Sequence, residues 1–72
     1  MKLTIDLINR APYYTNPLKE RELELRGNRI PAIENLGATN DSFDSIDLSD
    51  NDITRLENFP LLRRLTTLLL SN

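Results

Sequence analysis

Residues 23–30, Leu-Glu-Leu-Arg-Gly-Asn-Arg-Ile, carry the pattern Leu-x-Leu-x-x-Asn-x-Ile, on which the fold of this chain depends. The pattern returns 23 positions later, at residues 46–53, as Ile-Asp-Leu-Ser-Asp-Asn-Asp-Ile. A third copy begins at Leu68 and Leu70, a further 22 positions along. In the first two copies one polar residue separates the apolar pair, which is the alternation of a strand with one buried face. The sequence therefore predicts a series of similar strand-and-turn units.

A repeat of 22–23 residues with this pattern is the signature of a leucine-rich repeat, in which each copy contributes one strand and one return arc. We therefore predict an α/β leucine-rich-repeat solenoid that breaks off inside its third repeat. Parallel strands should line the concave face, and irregular or 3₁₀ arcs should form the convex face. Apolar residues spaced by three predict the tight arcs: Ile30, Ile33 and Leu36 in the first repeat, and Ile53, Leu56, Phe59, Leu62 and Leu65 in the second.

Residues 1–20 do not follow the repeat and are predicted to form an N-terminal cap, which a solenoid needs to cover its first strand and core. Thr4 is the expected N-cap of a short helix, with Leu3 and Ile8 placed as a hydrophobic staple. Pro12 should end that helix near Ala11, and an extended segment should follow up to residue 20. The repeats then occupy residues 21–72, divided as 21–42, 43–64 and 65–72.

Composition limits the classes of function. The 72 residues include no Cys and no His, so disulfides and the usual zinc ligand sets are absent. Nine basic and eleven acidic residues give a net charge of −2, which disfavours a free-standing nucleic-acid binder. No signal peptide or membrane-spanning stretch is recognisable, so we expect a soluble intracellular protein with no membrane partner.

The aspartate-rich run 41–52 is the one segment that suggests metal or acid–base chemistry. A calcium loop that starts at Asp50 would need Gly at its sixth position, where this chain has Arg55. Paired catalytic carboxylates need a cleft and a desolvated acid, which an open curved sheet does not offer. We therefore predict no catalytic residue, no metal, no cofactor and no small-molecule substrate.

Strand alternation places nine residues in solvent on the concave face, all polar except Leu69: Glu22, Glu24 and Arg26, then Ser45, Asp47 and Ser49, then Thr67, Leu69 and Ser71. In register, Glu24 and Asp47 become neighbours, with Leu69 next to them. Like charges on adjacent strands destabilise a sheet, and a broken local rule on a binding face indicates a functional site. The expectation is an acidic, partly apolar groove for a basic amphipathic helix or loop. A solvated face with screened repulsion is the alternative.

Asn28 and Asn51 are predicted to be structural, because the asparagine of this repeat satisfies backbone groups of the turn and successive copies form a ladder. Lys19, Arg21 and Arg26 cluster near the first strand in sequence. They are positioned to reach a phosphate if a partner brings nucleic acid alongside.

Two stretches are more specific than the repeat itself: Ile-Pro-Ala-Ile-Glu-Asn-Leu-Gly-Ala-Thr at 30–39 and Phe-Pro-Leu-Leu-Arg-Arg-Leu at 59–65. With the segments 14–16, 21–27 and 43–53, they resemble the N-terminal part of the A-prime family of U2 small nuclear ribonucleoprotein proteins. The resemblance spans residues 2–72. The family has further repeats, a C-terminal cap and a polar tail that this sequence lacks.

The resemblance implies a non-enzymatic, nuclear adaptor in pre-mRNA splicing. Its partner would be an RNA-recognition-motif protein of the B-double-prime type, through which it would support binding of U2 small nuclear RNA. Because the family docks a partner helix in its concave face, the residues implicated by carry-over are Glu22, Glu24, Arg26, Asp47 and Leu69, with Lys19 and Arg21 less firmly. The alternative is a regulatory subunit of the same repeat type that binds another intracellular protein, such as a phosphatase or a cytoskeletal component.

Overall fold

The computed structural model describes residues 2–55 and 57–71. In this part of the chain one α-helix, one 3₁₀ turn and a four-stranded sheet follow each other. The helix α1 is Ile5–Arg10, and the 3₁₀ turn is Leu36–Thr39. The strands are β1 Tyr13–Thr15, β2 Arg21–Glu24, β3 Ser45–Asp47 and β4 Thr67–Leu69. Leu56, which the pattern assigns to the second arc, lies outside the described residues.

Helix α1 begins and ends where its sequence predicts. The Thr4 hydroxyl accepts a hydrogen bond from the Leu7 amide at 3.0 Å, which satisfies one of the free donors of the first turn. Leu3 and Ile8, the predicted staple pair, are both buried. Ala11 ends the helix, and its amide donates to the carbonyls of Leu7 and Ile8. Leu3 and Ile8 therefore anchor the helix in the core, and local hydrogen bonds define its two ends.

The sheet has the strand order β1-β2-β3-β4. β2, β3 and β4 run parallel, and the register pairs Leu23 with Ile46 and Ile46 with Leu68. The register therefore joins equivalent positions of successive repeats, as the spacing of the pattern predicts. Since side chains alternate along a strand, this register stacks apolar residues on one face and the polar row on the other.

One hydrophobic core lies behind the sheet. Its fully buried residues come from the helix, the strands and the first arc: Leu3, Ile8, Leu23, Leu25, Ile30, Ile33, Leu36, Ile46 and Leu48. Partly buried residues of the second and third repeats pack against it, among them Phe43, Leu62, Leu65 and Leu68. Burial is thus deepest around β2 and β3, the strands of the first two repeats.

Strand β1 comes from the predicted cap and pairs antiparallel with β2, with Tyr14 opposite Glu22. The Pro12 carbonyl accepts a hydrogen bond from the Glu24 amide at 2.9 Å, which extends the pairing by one residue. The extended segment after the helix therefore covers the edge of the first repeat strand, which would otherwise expose unpaired backbone groups.

The parallel strands, the 3₁₀ turn in the first arc and the N-terminal helix confirm the predicted leucine-rich-repeat architecture. Pro31 lies in an arc and not in the sheet, where its missing N–H breaks no ladder bond. No helix within residues 2–55 and 57–71 is long and apolar enough to cross a membrane. The repeat boundaries at 21, 43 and 65 stay predictions.

Leu48→Ala should lower the free energy of unfolding by about 2–5 kcal/mol, because it removes a buried side chain between two repeats and leaves a cavity. Leu48 is 1% exposed, and its amide donates to the Leu69 carbonyl of the next repeat. The control is Leu61→Ala, since Leu61 is 77% exposed. Urea unfolding of both variants in the full-length protein is the measurement. A loss below about 1 kcal/mol at Leu48 would contradict its place in the core.

Candidate protein-binding face

The concave face has the register that the sequence predicts. Glu24 pairs with Asp47, and Asp47 pairs with Leu69, so the three side chains form one row across β2, β3 and β4. Glu22, Ser45 and Thr67 form the neighbouring row. Since neighbouring strands lie about 4.8 Å apart, the two carboxylates of the first row are held close together by backbone geometry alone.

The expectation that all these side chains lie in solvent is wrong. Glu22 and Asp47 are only 5% and 8% exposed, and Ser45 and Ser49 are also buried. Glu24 is half-buried, while Arg26 and Leu69 remain exposed. The concave face therefore presents partly buried carboxylates, with the exposed Arg26 and Leu69 beside them.

The cover over Glu22 comes from β1. The Tyr14 hydroxyl donates a hydrogen bond to Oε2 of Glu22, and the Asn16 amide and the Ser45 hydroxyl donate to Oε1 at 3.1 Å and 3.2 Å. The bond from Tyr14, with help from Asn16 and Ser45, lowers the pKa of Glu22, although burial and the charge of Asp47 oppose this. The same bond, followed by burial and the negative charges nearby, raises the pKa of Tyr14 to about 12.

The other two acids differ in how they are satisfied. Oδ1 of Asp47 accepts the Ser49 amide at 2.9 Å. Oε1 of Glu24, in contrast, is buried and has no hydrogen-bond partner among the described residues. A buried carboxylate oxygen without a donor is costly to the free protein. The row thus offers an acceptor that a donor from outside would satisfy.

The basic cluster near the first strand is not assembled as predicted. Arg26 forms an ion pair with Asp50 at 2.7 Å, which raises its pKa, with smaller contributions from Asp47 and Glu24. Arg21 lies on the opposite face of β2 from Glu22, and its guanidinium stacks on Tyr13 and Phe43. Lys19 is exposed in the turn between β1 and β2, with a positive φ of 64°.

Asn51 is surrounded by backbone groups. Its Oδ1 accepts the amides of Asn28 and Ile30 at 3.0 Å each, and its Nδ2 donates to the carbonyls of Leu25 and Leu48 at 2.9 Å. Nδ2 of Asn28 donates to the Leu25 carbonyl as well. This geometry is that of a structural residue which joins two repeats, and its energetic role is tested below.

The aspartate-rich run organises loops. The Asp41 carboxylate accepts the amides of Arg63 and Arg64, and the Asp44 carboxylate accepts the Arg21 amide and pairs with the Arg64 side chain at 3.3 Å. The bond from the Arg21 amide, and then Arg64, lowers the pKa of Asp44. No group of three or more metal-ligating side chains occurs in the described part of the chain.

The sequence analysis did not predict the role of Tyr14 and Asn16, which cover Glu22 on the concave face and donate hydrogen bonds to it. The signal was present, because residues two apart in an extended segment share one face, and the segment was expected to lie beside the first strand. The cluster of Arg21, Tyr13 and Phe43 was also missed, since its members lie in three different elements and carry no common motif.

Comparison with known proteins agrees with the repeat architecture. A family model described as leucine-rich repeat matches residues 1–72. The chain belongs to the leucine-rich-repeat family. Within this family, the chain is 67% identical over 72 residues to U2 small nuclear ribonucleoprotein A' of Arabidopsis thaliana and 62% identical to the Homo sapiens protein of that name. Both matches cover the whole chain but only 29% and 28% of the relatives, so the chain spans less than a third of their length.

A solved structure of the Drosophila melanogaster SNF/U2A' complex contains a chain with the same leucine-rich-repeat fold. It matches with a TM-score of 0.97 and 64% identity over 100% of this chain and 41% of that chain. With the curated relatives, this match confirms the resemblance to the U2 A-prime family that the 30–39 and 59–65 stretches indicate.

Asn51→Ala should lower the free energy of unfolding by about 1–3 kcal/mol, because it leaves buried amides and carbonyls of two turns without partners. Asn9→Ala is the control, since Asn9 is exposed on the helix. Chemical denaturation gives the stability, and a binding assay on folded protein should give almost unchanged partner affinity. Loss of binding at intact stability would instead identify Asn51 as a ligand contact.

Tyr14→Phe should flatten the dependence of stability on pH at both ends. In the folded protein, the raised pKa of Tyr14 gives stability that is present below its ordinary pKa of 10.0 and is lost as the pH rises through about 12. The lowered pKa of Glu22 gives stability that is present above its ordinary 4.5 and is lost as the pH falls through the folded-state pKa. Denaturation midpoints of Tyr14→Phe and the control Tyr13→Phe across the pH range will show it. Equal profiles would contradict the Tyr14–Glu22 assignment.

Proposed function

We propose that this chain is part of a non-enzymatic adaptor of the U2 small nuclear ribonucleoprotein that acts in the nucleus in pre-mRNA splicing. Its partner is an RNA-recognition-motif protein of the B-double-prime type, which docks a helix on the concave face. The adaptor supports binding of U2 small nuclear RNA mainly through that partner. The observation that carries this proposal is the identity of about two thirds, over the whole chain, with proteins named U2 small nuclear ribonucleoprotein A'.

The solved relative supports a protein partner, because its structure is that of a complex with SNF. The parallel sheet supports the same proposal, since a leucine-rich-repeat solenoid presents its strands as an extended binding surface. The chain contains no nucleophile–base pair that its sequence would assign to catalysis, and its relatives carry the name of a ribonucleoprotein component.

The row of Glu24, Asp47 and Leu69 gives the proposed concave site its chemistry. Two carboxylates favour a cationic or donor-rich helix, and the unpartnered Oε1 of Glu24 gains a hydrogen bond on docking. Leu69, 39% exposed, supplies apolar contact beside them. Arg26 and the covered Glu22 border this row on either side.

We propose that RNA contacts the edge of the sheet, at the turn between β1 and β2, and not the concave face. The concave face is acidic, and phosphates would be repelled from it. Lys19 is the residue that we propose for contact with the RNA backbone. Arg21 is a weaker candidate, because two aromatic rings already hold its guanidinium.

Affinity capture with the full-length natural protein tests the proposal. The expected result is co-purification of a B-double-prime-type protein together with U2 small nuclear RNA from nuclear extract. Glu24→Gln should reduce this capture, while Glu57→Gln, an exposed residue of the second arc, should not. Capture of a phosphatase or a cytoskeletal protein without U2 RNA would instead favour the regulatory-subunit alternative.

Asp47→Asn should leave the free protein equally stable or more stable by up to about 1 kcal/mol, because it removes a like charge beside Glu24. The Asn side chain can still accept the Ser49 amide that Asp47 accepts now. Association with the partner should weaken, mainly at low salt, where charge attraction is least screened. Calorimetry at two salt concentrations measures the effect, with Asp6→Asn, at an exposed position of helix α1, as the control. Lower stability with unchanged binding would mean that Asp47 is only structural.

A further inference from the structure

A second candidate surface lies on the core-facing side of β2, away from the concave row. Arg21 stacks there on two rings, with its guanidinium carbon 5.4 Å from the centroid of Tyr13 and 5.7 Å from that of Phe43. The rings also contact each other edge-to-face at 5.8 Å. Three planar groups from β1, β2 and the loop before β3 thus hold each other in place.

This cluster stands at the wall of a cavity of about 250 Å³. Its lining includes the buried Ile8 and Leu23 and the partly buried Ala38, and Asn9, Asn40 and Ser42 contribute polar groups. The volume is sufficient for one large side chain of a partner. Because the wall residues come from the helix, the strand and the 3₁₀ turn, which share the core, the cavity is largely preformed.

Charge distinguishes this cavity from the concave face. Arg21 is the one charged residue among the described residues that line it. The Arg21 side chain makes no ion pair within residues 2–55 and 57–71. Asp44 lies near enough to sense its charge, but the Asp44 carboxylate is already engaged by the Arg21 amide and the Arg64 side chain.

Alternation along β2 separates the two surfaces. Arg21 and Leu23 project to one side of the sheet, and Glu22 and Glu24 project to the other. The backbone of a single strand therefore presents a cation beside the cavity on one side and the carboxylates of Glu22 and Glu24 on the other.

We propose that this cavity is a docking site for an acidic peptide segment of a partner protein, in which an apolar side chain is followed by a carboxylate. The apolar side chain packs on Ala38, Tyr13 and Phe43, lining residues that keep exposed surface. The carboxylate receives the N–H donors of Arg21, whose planar guanidinium is held by the rings so that little side-chain freedom is lost on pairing. This site is separate from the concave face, and it assigns Arg21 to a carboxylate of a protein partner and not to the RNA backbone, for which Arg21 is the weaker candidate.

The probe is an acetylated and amidated hexapeptide of alternating leucine and glutamate, titrated into the isotopically labelled full-length protein and followed by amide chemical shifts. We expect saturable shifts at Asn9, Asn40 and Phe43. Arg21→Gln should weaken the peptide at least about tenfold, which corresponds to about 1.4 kcal/mol. The matched control is Arg55→Gln, an exposed arginine of the second arc that does not line the cavity, and it should bind like the natural protein.

Two control peptides separate the contributions. Replacement of the glutamates by lysines should abolish binding, and replacement of the leucines by serines should weaken it. Arg21→Lys keeps the charge but not the planar group, so it should bind between the natural protein and Arg21→Gln. Circular dichroism of each variant checks that the fold is kept.

Several results would overturn the proposal. These are no saturable shift up to about 1 mM peptide, which is the weakest affinity that counts as docking, shifts that map to the concave face, or full binding by Arg21→Gln. A short single-stranded oligouridylate is titrated in parallel. Arg21-dependent binding of that oligonucleotide without binding of the peptide would assign the residue to RNA and reject the acidic segment.

Discussion

The buried side-chain amide of Asn51 is the interaction on which the repeat structure depends. Each strand is followed by a tight turn, and the turn leaves amides and carbonyls directed at the core, where water cannot reach them. Asn51 accepts two amides of the first repeat's turn and donates to carbonyls of both repeats. One side chain thereby satisfies groups of two successive turns, which lets strands 23 residues apart lie side by side. No apolar residue could replace it, because the unpaired backbone groups would remain.

The repeat pattern also predicts the register of the parallel strands. This register is the part of the fold that the sequence predicts most directly. Side chains alternate with a period of two, so a slip by one residue would turn every leucine towards solvent. The pairing of Leu23, Ile46 and Leu68 and that of Glu24, Asp47 and Leu69 follow from this constraint alone. Helix α1 was equally accessible, because Thr4 and Pro12 determine its ends through local chemistry.

The burial of Glu22 and Asp47 on the concave face could not be predicted from the sequence in the same way. Strand alternation predicts which side of the sheet a residue faces, but it does not predict which other residues cover that side. Glu22 is buried because Tyr14 of β1 and Asn16, the residue after that strand, cover it and donate hydrogen bonds to it from outside the repeat. Such contacts depend on the antiparallel register between the cap and the first repeat, which no repeat pattern encodes. The stacking of Arg21 on two rings is similar, since it needs the positions of three elements at once.

The arrangement of acids on the concave side combines stability with recognition. Glu22 is satisfied by three donors, and Asp47 by the Ser49 amide, so these two carboxylates are tolerated in the free protein. Glu24, between them in the sheet, keeps a buried oxygen without a partner. An incoming donor would satisfy this oxygen and remove the cost of its burial without a partner.

The same strand couples the two proposed surfaces. Because Arg21 and Glu22 are consecutive, a slip of β2 by one residue would exchange the cation and the acid between the two sides of the sheet. The β1–β2 pairing and the Arg21 amide bond to Asp44 oppose such a change from opposite sides of the strand. Variants that weaken either contact should therefore affect both surfaces together, whereas a variant that alters one side chain should affect one surface only. This difference separates a residue that positions the strand from a residue that meets a partner.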